Sequence, residues 1–211
     1  MRLEILEGAQ RDALSSLKPA ASEGFYLAGG TALTLHLEHR RSVDLDLFCT
    51  SPFEAEEMVS RLRSAGVALD AVRTAPATVH ASVAGVRTSL LSFPYPLLEP
   101  PAPSPVGVPI AGLRDIAAMK IEAIASRGAR KDFYDLFFIC RAGLELPDAL
   151  EAFRMRFASA SPDIYHRLRA LTFFDDAERE PEPVLLRPAT WPEVRQFFRE
   201  QVHAIWVRAG G

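Results

Sequence analysis

Two aspartates on either side of a leucine, Asp44 and Asp46, are the side chains of this chain best suited to chemistry, and the glycines Gly29 and Gly30 with Thr31 come shortly before them. The alternation of Val43, Leu45 and Leu47 predicts a strand over Val43–Phe48, and a period of two puts both carboxylates on one face. Like charges on one side of a strand repel. A divalent cation between them removes the conflict, and Mg2+ favours a couple of carboxylates together with phosphate oxygens. Paired glycines between a short apolar strand (Phe25–Ala28) and a helix-like run (Thr31–Glu38) let backbone N–H groups approach an anion at a helix start. Strand carboxylates, a metal and a phosphate cradle together point to nucleotide chemistry.

A second group sits in the segment KIEAIASRGARKDFYDLFFI. Lys120 and Arg127 are two helical turns apart and share a face; Gly128 breaks the helix and the next one opens with Lys131 and Asp132. Asp132 and Asp135 also share a face, leaving Phe133, Leu136 and Phe137 for packing. Two readings stay open. The group is either a hairpin of helices in which Arg127 and Lys131 pair with Asp132 and Asp135, or the cation supply for a triphosphate. Lysine usage points mildly to the second, because Lys18, Lys120 and Lys131 are the only lysines in a chain otherwise using arginine. A compact ammonium acting as a point charge on phosphate is one task for which arginine substitutes poorly.

The elements that must position these groups follow from local pattern. Leu3, Leu6, Ala13, Leu14 and Leu17 predict a helix over residues 3–17. After the Asp44–Asp46 strand, Pro52 and the acids Glu54, Glu56 and Glu57 open a helix that ends near Gly66. Strands are predicted at Val67–Arg73, Thr78–Ala84 and Val86–Phe93, with Ala84-Gly85 as a hairpin turn. The proline-dense stretch Tyr95–Pro109 excludes a regular element. Helices are then predicted at Leu113–Arg127, Lys131–Arg141, Pro147–Ala158, Pro162–Ala177 and Trp191–Val207, with an extended break at Pro181–Pro188. This order gives an α+β chain: a small mixed-sheet lobe over 1–94, a proline-rich connection over 95–110 and a helical lobe over 111–211.

Composition narrows the classes. Hydrophobic content of 48% and charged content of 24% suit a globular chain, and a net charge of −3 confines any nucleic-acid contact to a local patch. No apolar run reaches the ~18 residues of a membrane span, and the amphipathic N-terminus does not resemble a signal peptide, so no membrane partner is expected and the cytoplasm is the expected location. Cys49 and Cys140 lack metal-ligand spacing and read as buried, reduced thiols. His36, His39 and His80 are too scattered for zinc and read as surface or core histidines. No P-loop and no Gly-x-Ser-x-Gly elbow is present. The last helix carries an apolar stripe (Val194, Phe197, Phe198, Val202, Ile205, Trp206) that reads as core.

The ordered combination of strand, Gly29-Gly30-Thr31, helix and Asp44-x-Asp46 resembles the signature of the polymerase-beta-type nucleotidyltransferase superfamily. With Lys120, Arg127, Lys131-Asp132 and Asp135 following, the chain resembles the AbiEii/AbiGii toxin family within it, over Phe25–Ile139. The resemblance implies a nucleotidyltransferase lobe followed by a helical C-terminal lobe, and transfer of an NMP from an NTP to an acceptor. It implies a toxin of a two-gene toxin–antitoxin pair, with a cognate antitoxin as partner and tRNA or another RNA among the acceptors. Mg2+, or Mn2+ in its place, would be held by Asp44 and Asp46. Gly29, Gly30 and Thr31, with Lys120, Arg127 and Lys131, would hold the nucleotide phosphates, and Asp132 would activate the acceptor or complete the metal shell. The superfamily adds a third carboxylate on a later strand. Here Val86–Phe93 holds no acid, with Thr88 or Leu90 as the expected facing position. One metal could suffice, Asp132 or Asp135 could serve instead, or the site could bind nucleotide without turning it over. A transferase acting on a small molecule and an inactive nucleotide-binding or regulatory module are the alternatives.

Overall fold

The apolar strand ahead of the paired glycines, β1 (Tyr26–Ala28), is buried along its whole length and starts a five-stranded mixed sheet in a computed structural model that describes residues 3–208. The other strands are β2 (Leu45–Cys49), β3 (Asp70–Ala75), β4 (Thr78–Val83) and β5 (Val86–Ser92). Their order is β1-β2-β5-β4-β3, with β2 and β5 parallel and the other neighbours antiparallel. Leu45, Leu47 and Cys49 of β2 are buried, as are Val79, Ala81 and Val83 of β4 and Thr88 and Leu90 of β5, so one face of the sheet is apolar. Ala84 and Gly85 both have positive φ (49° and 80°) and Val83 pairs with Val86, which makes the predicted hairpin a two-residue loop of the left-handed kind that suits strand twist.

The span predicted as one helix over 3–17 holds a 3-10 turn at Leu3–Ile5 and helix α1 (Gly8–Ser16), and a further helix, α2 (Lys18–Ser22), starts just beyond it. Pro19 explains the restart: it lacks the N–H that a continuing helix needs but is tolerated in a first turn. Helix α3 (Gly29–Leu37) follows β1 directly, and α4 (Ala55–Ser64) follows β2.

The proline-dense stretch is ordered by β1. The Leu27 N–H donates to the Pro109 carbonyl (2.8 Å) and the Ala111 N–H donates to the Leu27 carbonyl (2.9 Å), so Leu27 and Ile110 form a parallel bridge. Pro109 offers only its carbonyl there, so its missing N–H costs nothing. By internal contacts the chain divides into two units. One holds Ser42–Gly112 with the chain before Leu37, and the other holds Leu37–Arg41 with the chain from Leu113 on. The proline-rich stretch therefore goes with the sheet, and a five-residue segment next to α3 goes with the helices.

The second unit contains α5 (Leu113–Arg127), α6 (Arg130–Arg141), α7 (Leu146–Arg156), α8 (Ile164–Ala170), α9 (Asp175–Glu178) and α10 (Trp191–Arg208). The helix predicted over 162–177 is two, α8 and α9, separated by Leu171–Phe174. Phe133 of α6 meets Phe174, Trp191 and Phe198 with ring centroids 5.3, 5.7 and 5.6 Å away, and Trp191, Val194, Phe198 and Val202 are the buried stripe of α10.

Candidate functional site: two acidic centres

In the first unit, Gly29 sits at the turn from β1 into α3 with φ of 70°. Asp46 is the register partner of Ala28, which brings its side chain beside that turn. A Cβ on Gly29 would stand 3.2 Å from Asp46 Oδ2 and 3.6 Å from Asp46 Cβ, so backbone conformation and the neighbouring carboxylate both call for glycine. The first N–H groups of α3 have no partner within the helix, and the Asp46 carboxylate and any further anion there share that positive end. Among the described residues, no protein group donates a hydrogen bond to the Asp46 carboxylate.

Asp44 lies just ahead of β2, which begins at Leu45 rather than Val43; Val43 is 59% exposed. Thr31 sets its position. The Thr31 hydroxyl is buried, donates to the Asp44 carbonyl (2.5 Å) and lies 2.9 Å from Ser42 Oγ, while Gln10 Nε2 donates to the Ser42 carbonyl (2.8 Å). The hydroxyl expected to touch phosphate is thus engaged in holding the Asp44 backbone, while Gly29 and Gly30 remain at the helix start. Arg87 of β5 faces the Asp44 carboxylate, with Nε 2.8 Å from Oδ1 and Nη2 donating to Oδ2 at 3.2 Å.

The register corrects one expectation. Asp46 pairs with Ser89 and Leu45 with Thr88, so Arg87 and Ser89 share the face of the two aspartates, whereas Thr88 and Leu90 point into the core. A hydroxyl stands opposite Asp46 where the superfamily pattern calls for an acid, and His80 Nδ1 lies 3.2 Å from it. No group of three or more His, Cys, Asp or Glu side chains among the described residues could hold a metal alone. Two carboxylates fit Mg2+ nonetheless, since that ion keeps waters and substrate oxygens in most of its shell, and the Gly29 cradle leaves room beside Asp46.

The second unit holds the other centre. Lys120 Nζ reaches Asp132 Oδ1 (2.7 Å) and Asp135 Oδ2 (2.5 Å), and Arg127 grips Asp132 Oδ2 through Nε (2.8 Å) and Nη2 (2.7 Å). Arg40 donates to both oxygens of Asp135 (2.6 and 2.8 Å), and His39 Nε2 lies 2.7 Å from Oδ1. Lys131 is exposed and takes no part. Both aspartates are fully buried, whereas the Arg127 side chain is 55% exposed. Burial alone would raise the Asp135 carboxyl, but the charges of Lys120 and Arg40 and the hydrogen bonds from Arg40 and His39 hold it well below the usual range. Burial lowers the His39 imidazole against the pull of Asp135, so it is neutral at physiological pH. Lys120 is raised: burial opposes its charge, and the two aspartates more than offset that. Lys120, Arg127 and Arg40 against Asp132 and Asp135 leave one net positive charge.

His39 and Arg40 are the members that local pattern missed. They come from Leu37–Arg41, and the backbone pairing of this segment with Val184 and Leu186 (2.8 Å each) fixes them there. Arg130 is used within the fold: its Nε donates to the Ala177 carbonyl, its backbone N–H to Glu180 and its Nη1 to Glu182. A pocket of about 540 Å3 in this unit is lined by Arg127, His166, Arg169, Phe173 and Asp176 among others.

Residues 12–96 and 83–206 match the family described as nucleotidyl transferase AbiEii toxin, type IV toxin–antitoxin system. An uncharacterised protein of Aquifex aeolicus is 34% identical over 212 residues, covering 93% of this chain and 96% of that one. The nucleotidyltransferase toxin MenT4 of Mycobacterium tuberculosis H37Rv has a similar fold, with a TM-score of 0.62 at 17% identity over 95% of this chain and 84% of that one. With strand, Gly-Gly turn, helix and paired aspartates in the arrangement described above, the chain belongs to the AbiEii family of nucleotidyl transferase toxins.

Proposed function

We propose that this protein transfers a nucleoside monophosphate from an NTP to an acceptor, with Asp44 and Asp46 holding Mg2+ (or Mn2+), as the toxin of a toxin–antitoxin pair. The observation that carries the reading is the Asp46 carboxylate, set against Gly29 at the start of α3 and without a hydrogen-bond donor among the described residues. When bound, the ion would offset charge on the triphosphate oxygens. The Gly29-Gly30 turn holds phosphate through backbone N–H groups, and Thr31 holds Asp44 in place. An acceptor oxygen forms the new bond to the α-phosphorus, the bond to the β-phosphate breaks, and pyrophosphate leaves with the electron pair. Lys120, Arg127 and Lys131 are assigned to phosphate charge and Asp132 to the acceptor proton, on the strength of the family resemblance. Arg127 is the member best able to exchange partners, being half exposed while it holds Asp132.

The acceptor we favour is tRNA or another RNA, and a cognate antitoxin is the expected partner. No helix among the described residues is long and apolar enough to cross a membrane, in keeping with a cytoplasmic setting. A second reading, a nucleotide-binding module without turnover, is favoured by Ser89 standing where an acid is usual. Incubation with each labelled NTP, Mg2+ and total tRNA, against controls without RNA and with EDTA, separates the two. Label in RNA that EDTA abolishes supports transfer. Nucleotide binding without label transfer to any acceptor supports the module.

A further inference from the structure

The strand beside the two aspartates carries a cation, two residues from Ser89, on the face where a carboxylate would complete a two-metal site. Arg87 lies on β5 in mid-sheet, paired in register with Ser82 of β4, so its backbone position belongs to the ladder and not to a loop. Its guanidinium engages both oxygens of Asp44 while its side chain stays 79% exposed. An arginine is always charged and has no lone pair for a metal, so it can neither ligate nor be titrated away. Next along this face is Ser89, opposite Asp46, a neutral hydroxyl. The two aspartates and Arg87 sum to one negative charge, half of what the carboxylates alone would offer to divalent ions.

We propose that Arg87 is the resident second cation of the Asp44–Asp46 centre: the centre takes one divalent ion, and Arg87 exchanges Asp44 for the nucleotide phosphates when that ion binds. The proposal rests on the reading that Asp44 and Asp46 hold a metal. An exposed ion pair is weak, so the ion displaces it at small cost. A guanidinium released beside the ion meets phosphate oxygens in the fork geometry that it fits best. The same strand face therefore lacks the acid, at Ser89, and supplies the positive charge of a second ion, at Arg87.

The test uses metal-free full-length protein and counts Mn2+ by its electron paramagnetic resonance signal, with and without a non-hydrolysable NTP. Wild type should bind one ion. Arg87→Gln, at an exposed position, should bind Mn2+ about two- to fivefold tighter without nucleotide, the gain expected from removing a weak competing pair. The same variant should bind the NTP analogue about tenfold more weakly, having lost a charged contact to phosphate. Arg87→Asp should take up a second ion. Two ions in wild type, or an Arg87→Gln variant with unchanged Mn2+ and nucleotide affinity, would overturn the role of Arg87 and leave the metal centre standing. Mn2+ binding that survives Asp46→Asn undiminished would remove the centre itself and this proposal with it.

Discussion

The molecule contains two pairs of aspartates that the chain treats in opposite ways. Among the described residues, Asp44 and Asp46 have between them one protein cation, the exposed Arg87, and the Asp46 carboxylate stands against a glycine at a helix start. Asp132 and Asp135 are fully buried and met by Lys120, Arg127, Arg40 and His39. A buried carboxylate must be compensated within the fold, because losing its hydration is expensive. The second pair therefore brings its counter-ions with it and contributes to the order of the helical unit. The first pair is left with charge to spare, as suits a group whose partner arrives with substrate. Proximity of acids in sequence does not separate the two cases; their neighbours do.

Three substitutions and conditions would break or sharpen that contrast. The largest effect is expected from Asp46→Ala. Transfer should fall by about a thousandfold or more, because metal charge stabilisation supplies several kcal/mol, while the unfolding midpoint in metal-free protein stays level or rises as repulsion with Asp44 is relieved. Radiolabel transfer and a denaturant melt on one preparation check both halves. A large loss of stability would mean that the first pair is structural after all. Asp135→Asn should do the reverse. It strands Arg40 and weakens Lys120, costing about 3–5 kcal/mol in urea unfolding. An unchanged melt would show that the network is not compensating anything.

The smallest effect is a pH dependence confined to the second centre. His39 has a depressed pKa, so the unfolded chain takes up its proton first, and stability should decline as pH falls below about 6.5. Asp135 is also depressed. Its contribution is present above about 3.9 and lost as pH falls through its lower folded value. Lys120 is raised, so what it contributes is present below about 10.4 and lost as pH rises through its folded value. Urea midpoints between pH 4 and 8 should thus fall on acidification, and His39→Gln should flatten the upper part of that fall. Midpoints level over the whole range would contradict the neutral, buried state of His39.

Much of this was legible in the residues. Alternation located β2 and its buried face, and the Ala84-Gly85 hairpin and most helix limits followed from breakers and caps. What escaped was non-local. Nothing near Asp135 in sequence announces His39 and Arg40, which reach it only because the segment after α3 pairs with Val184 and Leu186. The proline-rich stretch excluded a regular element, yet its backbone completes the pairing of β1 through Leu27, a contact without a local signature. Thr31 offered a hydroxyl to phosphate by motif, while the fold uses that hydroxyl on the Asp44 carbonyl. Thr88 and Leu90 were the expected facing positions, but the inward alternation of Val86, Thr88 and Leu90 puts Ser89 on the aspartate face. That parity could have been taken from the hydrophobic pattern alone.

What separates the two pairs is whether an external cation joins them. The anomalous difference map of a crystal grown with Mn2+ and a non-hydrolysable NTP tests it most directly. A manganese peak is expected about 2.0–2.2 Å from carboxylate oxygens of Asp44 and Asp46, with Lys120 and Arg40 still paired to Asp135. A peak bound to Asp135 in place of Lys120, or a nucleotide bound with no metal at Asp44 and Asp46, would contradict it.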